Sequence, residues 1–363
     1  MRASIPFLPA LIVPLIAAPV PVFAEPPQVV ADIAPVHALL TQVMEGVGVP
    51  DLLLDQNANP HAVQLKPSQV RMLNGADLLF WVGPELSPWL ERILGAQDGD
   101  HIALTEHPAT HLRYFGAGGM DDDHEGHDDH GEEDHDEHAE EGHDDHGEED
   151  HDEHAEEGHD EESHGEESHE EHSEEGHDEQ TEEGHEGHDH TGVDPHVWLT
   201  TENAHAWLGV FADALAERDP DNAASYRANA AAAAADIEAL QTHIESRLAP
   251  HQGAEIVTFH ASFGYFADEF GIEIAGSVRP GDAAAPSAAA MSELKDLVAD
   301  HGIECAFAEP GFDPGLIDAI AGGTGLRIGM LDPTGALQPA GRNHYAATLD
   351  AVAVGIAECL ESE

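Results

Sequence analysis

The sequence predicts an α/β protein of two lobes, each with a largely parallel sheet, joined by one long rigid backbone helix. Three observations predict the fold. Strand-like runs alternate with helical stretches through both halves of the chain, a pattern that places parallel strands under helices on both faces. A segment at 220–248, with the core ANAAAAAADIEALQ, is built from the strongest helix formers and separates the halves. Once a leader and one polar tract are set aside, about 270 residues remain, enough for two modest lobes.

Taken in chain order, residues 1–24 read as an export leader. Arg2 gives a positive start, 5–22 is apolar, and Val22-Phe23-Ala24 presents small residues for cleavage after Ala24. Pro6, Pro9, Pro14, Pro19 and Pro21 interrupt the run, which argues against a membrane anchor. The mature chain is therefore expected to be exported and soluble, in a compartment where disulfides are permitted. The N-terminal lobe is assigned to 25–219. Its predicted strands are 28–34, 51–54, 77–82 and 102–105, and its helices 36–46, 67–75, 85–94 and 200–218. Pro67 stands where a helix start tolerates proline. The linking helix is placed at 220–249. The C-terminal lobe, 250–363, has predicted strands at 255–259, 272–278, 303–308 and 326–331 and helices at 261–270, 287–301, 314–322 and 344–360. A single helical spine is expected to allow only small interlobe motion.

The tract at 121–190 holds seventeen histidines and thirty-seven Asp or Glu, with no Lys, Arg or Cys. Imidazole and carboxylate suit Zn²⁺, and missing thiolates argue against a soft-metal site such as one for Cu(I). Acid alone would explain the charge but not a histidine at roughly every fourth position. His124, His127, His130, His135, His138, His143, His146, His151 and His154 are candidate auxiliary metal ligands. The tract repeats internally, since HGEEDHDEHAEEGHDD at 130–145 recurs at 146–161 with one substitution. Its composition predicts a disordered insertion in which metal competes with protons for imidazole.

Outside the tract the formal charge falls from −62 to −25, from thirty-seven acids and twelve bases. Phosphate would be repelled and no basic patch with aromatic interleaving occurs, so nucleic acid is excluded as a partner. Two cysteines, Cys305 and Cys359, form an even pair. In an oxidising compartment that is most simply a bridge, the alternative being two buried thiols that never meet.

Three histidines outside the tract stand at strand-to-helix loops. His61 lies in NPHAVQLKPSQV, His196 in DPHVWLT, and His260 between EIVTFH and ASFGYF. In open α/β sheets the crevice outside the carboxyl ends of the strands binds ligands. Any one of these histidines could cap or pack, whereas three at equivalent loops of both lobes make a metal site.

These segments, with DLLFWVGPELSPWL, ECAFAEPGF, MLDPTG and the cysteine pair, resemble the zinc-uptake substrate-binding proteins of bacterial ABC importers, the ZnuA type within the metal-binding cluster of periplasmic solute-binding proteins. The resemblance implies Zn(II) as the transported ligand, an ABC-transporter membrane permease as partner, and ligation by His61, His196 and His260. It offers Asp332 of LDPTG as a fourth ligand, with water or a tract histidine as alternatives and turn capping as its other role. Some zinc members carry Glu before the first histidine, where Pro60 stands here. Manganese-importing relatives place a carboxylate at the His260 position, so three imidazoles favour zinc, although Cu²⁺ would bind them at least as tightly. Asp194 and Glu309 stay open between accepting a ring N–H and shaping a loop. Rival readings are manganese or another divalent metal, a passive periplasmic zinc buffer, and a zinc enzyme. No HExxH motif or dedicated general base supports the last.

Overall fold

Two four-stranded parallel sheets carry the chain. The structure, a computed structural model, describes residues 25–96, 99–115, 192–279 and 286–362; the expected leader and the tract, with its candidate histidines, lie outside them. In the first sheet β1 (Val29–Ala31), β2 (Asp51–Leu52), β3 (Leu78–Trp81) and β4 (His101–Ala103) stand in the order β2-β1-β3-β4. In the second, β5 (Glu255–His260), β6 (Glu273–Arg279), β7 (Cys305–Ala308) and β8 (Arg327–Met330) repeat that order as β6-β5-β7-β8. In each sheet the direction of strand addition reverses once, between β1 and β3 and between β5 and β7. The crevice outside the strand ends at such a reversal is the binding position of open α/β sheets. VVA, LLFW and CAFA are buried at every position, as strands covered on both faces must be.

Nine helices occur among the described residues: α1 (Ala34–Val43), α2 (Pro67–Gly75), α3 (Pro88–Leu94), α4 (Thr201–Arg218), α5 (Ala223–Leu248), α6 (Gly264–Phe270), α7 (Ala288–His301), α8 (Gly315–Ala321) and α9 (His344–Glu361). Boundaries shift from expectation where side chains intervene. The strand foreseen at 28–34 stops at Ala31, because the Asp32 carboxylate accepts the N–H groups of Ile33 and Val82 and turns the chain into α1. The helix foreseen at 85–94 begins only at Pro88: the Ser87 N–H already bonds the Gly83 carbonyl. The spine opens with a 3₁₀ turn at Pro220–Asn222 before α5.

Tyr226, Ala230, Ala233, Ile237, Ile244 and Leu248 form the buried stripe of α5, at three-, four- and seven-residue steps. Against it pack α1, α4 and α9. One continuous core therefore runs from Val30 and Phe80 through Trp207 and Tyr226 to Phe266, Tyr345 and Ile356. The spine lays this one buried face on the core and turns its other face to solvent. A second, smaller cluster of Val257, Val278, Val298, Ala306, Ile317 and Ile320 sits under α7 and α8. Cys305 and Cys359 are bonded, with Cα atoms 6.1 Å apart, and join the start of β7 to the last turns of α9.

Candidate metal centre

Each histidine is delivered by a different piece of the fold. His61 is on the loop between β2 and α2, and its N–H donates to Asn59 Oδ1 at 3.0 Å. The preceding Pro60 carbonyl accepts from Ser87 Oγ at 3.1 Å and Trp89 Nε1 at 2.8 Å. Pro60 thus anchors the His61 loop through its backbone. His196 lies in the segment that leads into α4, and His260 is the last residue of β5, beside the strand reversal. Both are buried, whereas His61 is half-buried.

Their ring nitrogens come within 4.8 Å of one another, and the two Nε2 atoms of His196 and His260 are 3.2 Å apart. Tetrahedral zinc with Zn–N bonds near 2.0–2.1 Å holds its nitrogen donors about 3.3 Å apart. The buried pair already has that spacing, and His61 on its loop needs to move by about 1.5 Å or less to match it.

Two buried carboxylates orient that pair. Asp194 Oδ1 lies 2.8 Å from His196 Nδ1 and also accepts the His196 backbone N–H at 3.1 Å. Glu309, immediately after β7, lies 2.8 and 2.7 Å from His260 Nδ1 through its two oxygens and accepts the His260 backbone N–H at 3.1 Å. An ionised carboxylate only accepts, so each Nδ1 carries the proton and each Nε2 turns a lone pair to the cleft. Both residues therefore fill both roles left open by the sequence: they accept the ring N–H and fix the backbone.

Asp332 lines the same cavity, of about 150 Å³, with Trp198, Phe312 and Pro333. Its carboxylate is occupied by its own loop: Oδ1 accepts from the N–H groups of Thr334 and Gly335 at 3.2 and 2.9 Å, and Oδ2 from Leu337 at 2.8 Å. It does not join the set of nitrogens that lie within 4.8 Å of one another. The floor of the cleft is tied across the molecule, since Trp198 Nε1 donates to the Pro333 carbonyl at 2.7 Å and Tyr345 OH to the Thr200 carbonyl at 2.8 Å.

At the matching reversal of the first sheet Asp32 does for β1 and β3 what Glu309 does for β5 and β7. Fully buried, it bridges the two strand ends by accepting Val82 N–H at 2.8 Å and Ile33 N–H at 2.7 Å. Burial pushes its carboxyl up to about 7, against the pull of those N–H groups.

The chain matches the family model ZnuA, "Zinc-uptake complex component A periplasmic", over residues 29–359. It is 45% identical over 350 residues to the high-affinity zinc uptake system protein ZnuA of Paracoccus denitrificans, covering 95% of each chain. It is 33% identical over 334 residues to the protein of the same name from Brucella abortus, covering 92% of this chain and 91% of that one. A crystal structure of ZnuA superposes with a TM-score of 0.64 at 22% identity, over 92% of this chain and 99% of the other, a likeness of fold.

Proposed function

The chain belongs to the ZnuA family of periplasmic zinc-uptake components, and from that footing we propose that His61, His196 and His260 hold the zinc it carries. The protein is the zinc-binding component of an ABC importer, not an enzyme, and its partner is a membrane permease. The observation that supports the assignment is the convergence of three imidazoles from separate loops, two of them with Nε2 atoms 3.2 Å apart and with Nδ1 fixed by buried carboxylates. Such an arrangement requires little ordering on binding. Water fills the fourth position. Asp332 supports the cleft wall through its loop hydrogen bonds instead of binding metal.

Three nitrogen donors favour zinc over manganese, which prefers oxygen. Selection against Cu²⁺ depends on availability, because that ion binds imidazole at least as tightly. The family is periplasmic, and among the described residues no helix is long and apolar enough to cross a membrane. In this reading residues 1–24 are removed on export, the mature chain acts as a monomer, and 121–190 serves as an auxiliary zinc collector.

Calorimetry on the intact and tract-deleted proteins tests the assignment. The tight phase of zinc binding is expected to disappear when His61, His196 and His260 are all changed to Ala, with the weaker multi-ion phase left in the intact chain. Survival of the tight phase would falsify the ligand set and favour the buffer reading. Asp332→Ala is expected to keep zinc affinity within a few-fold while lowering stability by about 1–3 kcal/mol, the cost of orphaned buried donors. A loss of affinity beyond 100-fold would make Asp332 a ligand.

A further inference from the structure

Asp194 orients His196, yet no strand holds Asp194 itself. It stands in an irregular segment between an isolated bridge, Tyr114 with Val193, and the start of α4. Glu309, which does the same for His260, is fixed at the end of a sheet strand. A fully buried carboxylate on a loop needs both a counter-charge and a fixed direction.

Arg113 supplies both. Among Lys and Arg it is the one residue between Arg92 and Arg218. Its Nη1 lies 3.3 Å from Asp194 Oδ2, and its Nε donates at 2.7 Å to Asp268 Oδ2 on α6 of the other lobe. The backbones are paired as well, since Asp194 N–H donates to the Arg113 carbonyl at 2.8 Å. Tyr265 closes the arrangement: its OH accepts the Arg113 N–H at 2.7 Å and donates to the Asp194 carbonyl at 3.1 Å. Gly264, the first residue of α6, lies beneath the guanidinium. A Cβ there would come within 2.4 to 2.8 Å of Nη1, Cζ and Nε, so glycine leaves the space in which Arg113 sits.

We propose that Arg113 is a positioning residue for the zinc site, acting through Asp194 to hold His196 against His260 and seated by Gly264 of the opposite lobe. The role rests on the ligand assignment above. Its planar fork fixes two carboxylates in different directions at once, which an ammonium does not reproduce. Removing it leaves Asp194 free to turn, and the His196 ring turns with it.

The test uses Arg113→Gln, Arg113→Lys and Gly264→Ala in the full chain. Zinc affinity is read by competition with a chromophoric chelator, and ligand geometry by the visible d–d bands of the Co(II) form. Arg113→Gln is expected to weaken zinc binding about 10-fold, the low end for partners behind metal ligands, and to shift the Co(II) bands. Gly264→Ala is expected to act in the same direction although Ala is the better helix former, because it displaces the guanidinium. Arg113→Lys falls between Gln and the native residue. If Arg113→Gln does not fold, Gly264→Ala decides alone. Affinity within two-fold and unchanged Co(II) bands in the variants that fold overturn the proposal, even with a lowered melting temperature, and reduce Arg113 to a tie between lobes. A tight site that survives the triple alanine change overturns the ligand set and this role together; loss of that site with Arg113→Gln unaffected overturns this role alone.

Discussion

Glu309 takes both N–H groups of His260: its carboxylate lies 2.7 Å from the ring Nδ1 and accepts the backbone N–H at 3.1 Å. One side chain from the end of β7 thereby sets the ring of the last residue of β5. Glu309→Gln keeps the shape but removes the charge that supports Nδ1–H. Zinc affinity, measured by chelator competition, is expected to fall about 10- to 100-fold with the fold intact. An unchanged affinity would show that burial alone holds the ring.

The Cys305–Cys359 bridge begins at the first residue of β7, the end opposite the cleft. Cross-linking positions 54 apart removes unfolded-state entropy equivalent to about 4 kcal/mol on the chain-entropy model. Mild reduction is expected to lower the melting temperature while zinc affinity and stoichiometry in the cleft stay constant. A parallel loss of zinc would mean that the bridge also shapes the site.

Asp32 makes stability depend on pH in a set direction. In the folded chain its carboxyl keeps its proton up to about 7, whereas the unfolded chain releases it near 3.8. The folded state binds the extra proton between those values, so this contribution is fully present below pH 3.8 and is lost as pH rises through 7. A shift of that size is worth about 4 kcal/mol. Denaturant unfolding at pH 5 and pH 8 is expected to show a smaller fall for Asp32→Asn than for the native protein. Equal falls would mean that the carboxylate is ionised in the fold throughout.

Deleting 121–190 is expected to leave cleft affinity within a few-fold and to slow growth only under strong chelation. The benefit of the tract shrinks at mildly acidic pH, where imidazole protonates and releases metal. Growth like that of the parent at every chelator concentration would reduce the tract to a solvated acidic insertion. Failure to import zinc in rich medium would place it in the transport site.

The alternation of strands and helices was legible because parallel strands covered on both faces leave continuous apolar runs such as LLFW and CAFA. His61, His196 and His260 were legible as a set because each follows a strand or precedes a helix. What lay hidden depends on contacts between distant positions. Glu309 stands 49 residues from His260, and only the strand order β5-β7 makes them neighbours. Arg113 carried one faint signal, a lone guanidinium in a long acidic stretch, with nothing to say which of many acids it would meet. Asp332 read as a candidate ligand by position and does line the cleft; that its carboxylate also accepts the loop N–H groups of Thr334, Gly335 and Leu337 is something no pattern encodes.

Where Tyr114 pairs with Val193, and Phe115 N–H bonds the Gly192 carbonyl at 3.0 Å, the chain leaves the lobe and re-enters it at one point. Inserted sequence between such neighbours displaces no strand and shifts no register. For a flexible connection each doubling of length costs only about 0.6 kcal/mol of closure entropy. A copying slip like the one recorded in 130–145 and 146–161 is thus nearly neutral for folding. A change of length between Phe115 and Gly192 therefore need not disturb the loops that carry His61, His196 and His260.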